Sequence, residues 1–512
     1  MTLMTPLQLD GVVQRINDVI QGLGVEVLLP IIILAIALIF RVDLDQSIKS
    51  AVLIGVGFTG IFLVLGLFGE TIGSLANQMV EVTGLQLSVV DVGWPAAAAI
   101  AFGIAKLGVW VIPIFVVVNL VLYAIGFTYT LNVDIWNYWH FAFFAGLVYF
   151  ATNDWVLAMA IGIMFGVSLL VVADWFQPAI EETFDTPGIS IPHGGSAPFA
   201  VAAIPIHEVV KRLPVVGSTT WDPDTIQDRM GLFGEPVIIG LVLGILIGIG
   251  AHANNLASAD VWYTILGAGI SFAAVMHILP MMVGILMEGL SPLADQIRDF
   301  MTSRFEGRDM VIGLDSAILI GHQSVIAASL VAVPIAIIMS IILPGNRVLW
   351  GVDLATFPFF FAMMVPLMDG DVVKMVLSGI VLLVPMHYIA GHVAPLVTEA
   401  AASSEGFEVQ FELITAPIGD AGSPATVMLA IPGQELGATG AMLSLAMIIL
   451  FTIGVWVAVR TWPKRMYMLA GASEDKAMEH TELRHSGSAA GILPNKFGKA
   501  VDVEEPVEEA TE

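Results

Sequence analysis

Residues 107–127 read LGVWVIPIFVVVNLVLYAIGF, an apolar run without a single charged side chain. About 20 such residues in a helix cross the hydrocarbon core of a bilayer. Because lipid offers the backbone no hydrogen-bond partner, a run of this kind forms a helix or lies in an interior lined by protein. Comparable runs occur at 25–40, 51–68, 236–249 and 441–459. The sequence therefore predicts an all-α, polytopic membrane protein.

The composition of the 512 residues favours the same fold class. Hydrophobic residues make up 57% of the chain and charged residues only 12%, whereas soluble domains carry about 25% charged residues. The sequence lacks the alternation of polar and apolar residues that is typical of the strands of a membrane β-barrel. The chain has no cysteine, which excludes disulfides, thiolate chemistry and cysteine-bound metals.

One long pattern occurs twice along the chain. PIFVVVNLVL from Pro113 is matched by PIAIIMSIIL from Pro334, and NVDIWNYWHFAFFAG around Asp134 is matched by GVDLATFPFFFAMM around Asp353. Duplicated halves are common in transporters, whose binding sites lie near the midplane where broken helices meet. We therefore expect duplicated, inverted helical repeats with re-entrant or broken helices and roughly 10–12 membrane segments.

Changes in polarity divide the chain into seven segments. These are an amphipathic amino-terminal segment (1–24), a first membrane repeat (25–174), a polar inter-repeat segment (175–234), a second membrane repeat (235–400), a polar loop (401–440), a last membrane helix (441–459) and an acidic tail (460–512). Arg460, Lys464 and Arg465 directly follow the last helix, and basic residues favour the cytoplasmic side, so we predict a cytoplasmic carboxyl terminus. Beyond about Leu469 the tail is polar and acidic, and we expect it to be disordered.

The charge balance is strongly acidic, with 45 acidic against 19 basic residues and a net charge of −26. We therefore expect no nucleic acid among the partners. A solvated acidic tail is one explanation, but carboxylates also crowd the loops. We favour adaptation to high salt, in which a hydrated acidic surface keeps a protein soluble, and predict a halophilic source.

Carboxylates within apolar segments are candidates for function, because burying them is costly. Asp91 lies in VVDVGWP and Asp315 in VIGLDSA, at corresponding places in the two halves. A carboxylate accepts hydrogen bonds from sugar hydroxyls, and the indole of Trp94 can stack on the face of a sugar. We predict that all three bind substrate, with helix capping as the alternative for both aspartates.

A polar and aromatic cluster, NVDIWNYWH, leads into an apolar run of the first repeat. Its Asn137 and His140 are three residues apart and so share one helix face, from which both can hydrogen-bond a polyol. Asp353 holds the place of Asp134 in the second half, and we include it as a candidate. Its alternative role is to cap a helix that starts at Leu354.

Loops rich in small residues supply the last candidates. The segment IPHGGSA (191–197) places His193 and Ser196 beside glycines, which let backbone approach a ligand closely. His322 follows Gly321 in the second half. The histidines lack metal-ligand spacing, and neither a phosphate-binding loop nor a nucleophile elbow occurs. We therefore predict no catalytic residue, no metal site and no cofactor.

Several of these stretches resemble the galactitol-type enzyme IIC proteins of the ascorbate–galactitol class of phosphotransferase permeases. The likeness runs from about residue 28 to residue 461 and rests on VVDVGWP, NVDIWNYWH, ISIPHGGSA, IGLDSAILIGH, LPGNRVL and GVDLAT. It implies a cell-membrane homodimer, not itself an enzyme, that carries a sugar or polyol by an elevator movement. A separate IIB subunit, charged by IIA, would phosphorylate the substrate. The resemblance also implies substrate contacts at His140, His193 and Asp315.

An ion-coupled secondary transporter of a small polar solute is the alternative function. Its paired membrane aspartates would bind sodium ions or protons. The two functions differ in whether uptake depends on phosphoryl transfer. Within the phosphotransferase function, galactitol, fructose and other sugars stay open as substrates.

Overall fold

The computed structural model describes residues 30–485 except for 32, 36, 39–40, 84–86, 94–96, 98–99, 102–106, 215, 218–219, 224, 226–231, 233–234, 305–309, 351, 404–410 and 417–418. The amphipathic segment 1–24, the candidate Trp94 and residues 486–512 of the acidic tail therefore lie outside the described residues.

In the first half, helical residues at 30–31, 33–35 and 37–38 precede five helices with assigned bounds and three short strands. They are α1 (Leu44–Thr83), β1 (Val89–Asp91), α2 (Leu107–Ala124), β2 (Thr130–Asn132), α3 (Ile135–Thr152), α4 (Trp155–Phe184), β3 (Ile189–Ser190) and α5 (Ala197–Val210).

The described part of the second half contains nine helices, three strands and three 3₁₀ turns. The helices and strands are α6 (Pro236–Ala251), α7 (Ala259–Arg304), β4 (Val311–Gly313), α8 (Gln323–Ile342), β5 (Val348–Leu349), α9 (Phe357–Ala362), α10 (Val372–Ala402), β6 (Leu413–Thr415), α11 (Pro424–Leu429), α12 (Ile431–Thr461), α13 (Pro463–Leu469) and α14 (Glu474–His485). The 3₁₀ turns are Ser316–Ile318, Val352–Thr356 and Pro366–Met368.

Among the described residues, five helical stretches are long and apolar enough to cross a bilayer. They are α4, the first part of α7 (Ala259–Ile278), α8, α10 and the continuous stretch of α11 and α12 (Pro424–Thr461). Shorter apolar helices occur at Pro113–Ala124, Ala197–Val210 and Gly240–Ala251. The prediction of a polytopic helical membrane protein is confirmed, while the count of ten to twelve crossings stays a prediction.

Six strands of two or three residues, which the sequence analysis did not predict, form two parallel sheets. The strand order is β5-β1-β6 in one sheet and β2-β4-β3 in the other. Each sheet thus has a central strand from one half of the chain and both outer strands from the other half. This exchange supports the predicted duplication, because the two sheets have the same design with the halves interchanged.

Backbone hydrogen bonds give the register of the two halves. The amide of Val92 donates to the Thr415 carbonyl (3.3 Å), and the amide of Leu314 donates to the Ser190 carbonyl (3.0 Å). Val92 therefore corresponds to Leu314, and Asp91 corresponds to Gly313. Asp315 lies two residues further along, so the two aspartates that sequence paired are close to equivalent but out of register by two positions.

Three helices, the long α1 and α7 and the shorter α6, pack on one another as one layer. Small residues bring them together: a Cβ added at Gly289 would come 2.8 Å from the Ser50 carbonyl oxygen, and one at Gly244 would come 2.6 Å from that of Ala268. Such residues let membrane helices approach closely. The helices α3, α4, α10 and α12 pack on one another around the sheets.

The carboxylate of Asp174 on α4 holds strand β2 in place. It is buried and accepts hydrogen bonds from the hydroxyls of Thr128 and Thr130, both at 2.7 Å, and from the amide of Tyr129 at 3.1 Å. The Thr130 hydroxyl also contacts the Ser190 hydroxyl at 2.9 Å, which ties β2 to β3. Burial raises the pKa of the Tyr129 phenol to about 12, so this group stays a neutral donor.

The expectation of disorder beyond Leu469 is wrong for residues 474–485, which form α14. Arg484 is buried and donates to the Gln177 side-chain oxygen at 2.5 Å, and its guanidinium lies 4.7 Å above the Tyr129 ring. Lys476 pairs with Glu181 at 2.8 Å. The low hydropathy of this segment predicted disorder, but α14 packs on α4 through polar and charged contacts rather than through apolar side chains.

Replacing Asp174 with alanine should lower the melting temperature of the purified protein by several degrees. The substitution leaves two buried hydroxyls and one amide without their shared acceptor, and each such loss costs about 1–3 kcal/mol. Asp174→Asn, which keeps one acceptor oxygen, should fall between wild type and alanine. Thermal unfolding in detergent measures the effect.

Asp260→Ala is the control, because Asp260 lies exposed in the first turn of α7. Losing its interaction with the helix dipole costs only a few tenths of a kcal/mol to about 1 kcal/mol. Equal melting temperatures for the Asp174 and Asp260 variants would contradict the role given to Asp174.

Candidate substrate-binding site

The carboxyl ends of β2, β3 and β4 lie at one edge of their sheet because the three strands are parallel. Directly beyond these ends come Asp134 after β2, His193 after β3 and Asp315 after β4. Each strand then leads through its turn toward a helix. Three short strands and the turns that follow them therefore bring distant parts of the sequence to one place.

Two histidines form the centre of the candidate site. His140 on α3 and His193 after β3 approach each other with their Nε2 atoms 3.1 Å apart. Their rings meet edge to face, with centroids 4.6 Å apart. The distance is that of a hydrogen bond, in which the ring with a protonated Nε2 donates to the other.

Asp420, which the sequence analysis missed, anchors His140. The His140 Nδ1 atom lies 2.6 Å from Asp420 Oδ1, and Asp420 is buried. Because a carboxylate accepts, Nδ1 of His140 carries the proton and its ring orientation is fixed. Asp420 follows β6 of the other sheet, so the carboxyl ends of both sheets contribute to the site.

A signal for Asp420 was present in the sequence. Residues 189–192 (ISIP) and 414–417 (ITAP) are similar, and a glycine follows each stretch within two residues. A serine then occupies the N-cap position of the next helix, Ser196 in the first half and Ser423 in the second. The segment after residue 417 is thus the second-half counterpart of the loop that carries His193. Aligning the two halves through this third landmark would have placed Asp420 beside the site.

Two serine hydroxyls lie on the far side of His193. Its Nδ1 atom is 3.0 Å from the Oγ atoms of both Ser196 and Ser316, which are 2.7 Å from each other. Ser196 also donates to the backbone carbonyl of Phe359 at 2.6 Å, and the Phe359 ring stacks on the His193 ring with centroids 5.5 Å apart. These contacts hold the imidazole on all sides except that of His140 and Asp315.

Asp315 has a double role. Its Oδ1 atom accepts from the amide of Ala317 at 2.7 Å and caps the 3₁₀ turn, whereas its Oδ2 atom lies 3.5 Å from His193 Nε2. Its own amide donates to the carboxylate of Asp134 at 3.0 Å. Asp315 thus caps the turn and also belongs to the polar cluster, and its predicted contact with substrate stays a prediction.

Asn137 lies one turn before His140, and its side chain binds Asn132 rather than a charged group. The Asn137 amide nitrogen donates to the Asn132 side-chain oxygen at 3.0 Å. The remaining amide atoms, Oδ1 of Asn137 and Nδ2 of Asn132, are buried and make no hydrogen bond with the described residues. Together they present one acceptor and one donor, the complement of a hydroxyl group.

Glycines bring the loop backbone against the imidazoles. A Cβ added at Gly194 would lie 2.5 Å from the His140 Cβ, and one at Gly195 would lie 2.9 Å from the His193 Cε1. Contacts this short are not tolerated, so only glycine fits at these positions. Gly419, beside Asp420, similarly lies against the backbone of Gly195.

Asp91 and Asp353 lie together at the carboxyl end of the other sheet. Asp91 accepts from the amide of Gly93 at 2.9 Å and from that of Asp353 at 2.8 Å. Asp353 itself lies within the 3₁₀ turn Val352–Thr356, so that turn begins before Leu354. The described hydrogen bonds of Asp91 are those of a backbone cap, and its role in binding stays a prediction.

His322 occupies a different position from the other histidines. Its Nδ1 atom accepts from the amide of Ser324 at 3.2 Å and caps α8, and its ring lies 5.2 Å from that of Phe184. Its predicted substrate contact stays a prediction. In the described ranges, no group of three or more histidine, aspartate or glutamate side chains is arranged to hold a metal ion.

Comparison with known proteins identifies the family. Residues 18–411 match the EIIC-GAT family model, described as the sugar-specific permease component of the PTS system, the phosphotransferase system. The galactitol-specific EIIC component of Escherichia coli strain K12 is 36% identical over 410 residues, which cover 80% of this chain and 89% of that protein. A second protein of that strain, described as a permease IIC component, is 35% identical over 384 residues, covering 75% and 86% of the two chains.

The match extends across both halves and includes the segments that carry His140, His193 and Asp315. A permease component conducts the sugar, while phosphoryl transfer takes place on other components of the system. The chain therefore belongs to the EIIC-GAT family of sugar-specific permease components of the phosphotransferase system.

Proposed function

We propose that this permease carries a sugar alcohol of the galactitol type and binds it at the cluster of His140, His193, Asp315 and Asp420. The observation that carries the proposal is the convergence of these four side chains in one chain of contacts, from Asp420 through His140 and His193 to Asp315. The name of the E. coli relative supplies galactitol as the first substrate to test.

The chemistry of the cluster suits an uncharged polyol. Each hydroxyl both donates and accepts a hydrogen bond, and the cluster offers carboxylates, imidazoles and serine hydroxyls. One turn before His140, Asn137 and its partner Asn132 each have one buried amide atom without a hydrogen bond among the described residues. The groups described in contact with the two histidines include two carboxylates but neither lysine nor arginine. An anionic substrate such as ascorbate would meet like charge there, so a neutral polyol is favoured.

Translocation and assembly follow the implications of the family. The layer of α1, α6 and α7 suits the scaffold of a homodimer, and the sheet-centred unit suits the part that moves with the substrate. IIB would phosphorylate the substrate on the cytoplasmic side after accepting the phosphoryl group from IIA. The basic residues that follow α12 support a cytoplasmic carboxyl terminus.

The acidic excess still supports a halophilic source as part of this proposal. By contrast, ion coupling is not favoured. The oxygens of Asp91 and one oxygen of Asp315 accept backbone amides, which leaves less of each carboxylate to bind an ion.

The first experiment measures uptake of labelled galactitol, fructose and ascorbate by cells with and without this gene. We expect labelled galactitol to appear inside as its phosphate, and to disappear when either this gene or the gene of its IIB partner is removed. Accumulation of free galactitol under an ion gradient would sink the proposal in favour of a secondary transporter. Preferential uptake of ascorbate would contradict the electrostatic argument for a neutral polyol.

Asp420→Asn should raise the KM for uptake about tenfold to hundredfold. The substitution removes the charge from the acceptor that orients His140, and hydrogen bonds to charged groups contribute about 1.5–3 kcal/mol. The chain offers a matched control in Glu435→Gln, because Glu435 pairs with His392 at 2.9 Å on the exposed surface. An unchanged KM in the Asp420 variant, or an equal change in both, would remove Asp420 from the site.

Asp315→Asn and Asp91→Asn separate binding from capping. Asp315 reaches His193 as well as a backbone amide, so we expect a higher KM together with a lower melting temperature. Asp91 accepts backbone amides in the described structure, so its variant should chiefly lower the melting temperature. Equal rises in KM would show that both carboxylates bind substrate, and if alanine at both positions left affinity and transport intact, neither would belong to the site.

A further inference from the structure

The short helix α13 directly follows the last membrane-spanning stretch and has two unlike faces. Tyr467 is fully buried and lies over α14 with its ring 6.4 Å from that of His480. On the outer face, Trp462 is 59% exposed and Met468 is 44% exposed. Large apolar side chains at the end of a spanning helix are typical of the boundary between membrane and water, where tryptophan is enriched.

Two cations accompany this exposed apolar surface. A shallow depression is lined by Trp462, Pro463, Lys464, Arg465, Met468 and Thr481. Lys464 pairs with Glu474 at 2.6 Å. Arg465 is exposed, and no carboxylate of the described residues lies within 4 Å of its guanidinium. In a chain with 45 acidic residues, an unpaired arginine beside a basic neighbour is a local exception to the overall charge.

We propose that this depression binds the headgroup of an anionic membrane lipid. Arg465 and Lys464 contact the phosphate, for which the guanidinium supplies paired N–H donors. Trp462 and Met468 lie against the glycerol and the first part of the acyl chains. The preceding spanning stretch, Pro424–Thr461, supports this placement. Only 22% of its most apolar part is buried inside the protein, so most of that surface is available to lipid.

The exposed apolar residues favour a lipid over an acidic protein as the occupant. A lipid covers apolar surface and neutralises positive charge in one molecule, and it is present wherever the adjacent span meets the membrane surface. Basic groups next to a spanning helix attract anionic lipid, and the attraction falls off within a Debye length.

The test compares two lipids added to the full-length protein in detergent, phosphatidylglycerol and phosphatidylcholine. A ligand that binds the folded state raises the melting temperature. We expect phosphatidylglycerol to raise it by several degrees more than phosphatidylcholine does, and this difference to shrink at high salt. In the double variant Lys464→Gln/Arg465→Gln, the difference between the two lipids should fall by at least half.

Lys211→Gln/Arg212→Gln is the matched control, since it changes another adjacent Lys–Arg pair whose lysine also contacts a glutamate, Glu208. This variant should keep the full difference between the lipids. Because the readout is a difference within each variant, a change in basal stability does not obscure it. Equal responses of the two double variants, or equal effects of both lipids on wild type, would overturn the proposal. So would an equal response to a soluble polyglutamate, which would identify an acidic protein as the occupant.

Discussion

The exchange of strands between the two halves of the chain is the constraint on which the rest of this structure depends. Backbone that is not helical can exist inside a membrane protein only when its N–H and C=O groups are paired within the protein. Here each half supplies the central strand of one sheet and the two outer strands of the other. Carboxylates complete the pairing across the halves: Asp91 accepts the amide of Asp353, and Asp134 accepts that of Asp315.

This exchange also explains why the candidate site belongs to neither half alone. Parallel strands end at the same edge, so the turns that follow β2, β3 and β4 are brought together whatever their distance in sequence. His140 and His193 come from the first half, and Asp315 and Asp420 from the second. Any movement of one half relative to the other would have to break strand hydrogen bonds, so the strands hold the two halves together in one unit.

Sequence alone was sufficient for the fold class and brought several residues of the candidate polar cluster to attention, but it did not locate most of the spanning stretches. Of the apolar runs named from sequence, 441–459 lies in a described spanning stretch, whereas 107–127 and 236–249 overlap shorter apolar helices. Among the candidate site residues, His140, His193, Ser196 and Asp315 do lie together. The six strands escaped prediction because two or three residues are too few to show alternation. Asp420 was not predicted because its loop was considered apart from the repeat. Asp91 and Asp315 were treated alike because their spacing in sequence does not show that they lie at the ends of two different sheets.

The charges of the site bear on the direction of transport. Asp315 and Asp420 flank the two histidines, and the described contacts of this cluster include no lysine or arginine to balance them. A neutral sugar alcohol can hydrogen-bond to carboxylates without electrostatic cost, whereas a phosphate ester carries about −1.5 to −2 charges at neutral pH. Phosphorylation by a partner subunit would therefore convert a ligand that fits the cluster into one that the cluster repels. As a binding site, the cluster would favour uptake of the neutral substrate and disfavour return of its phosphate ester.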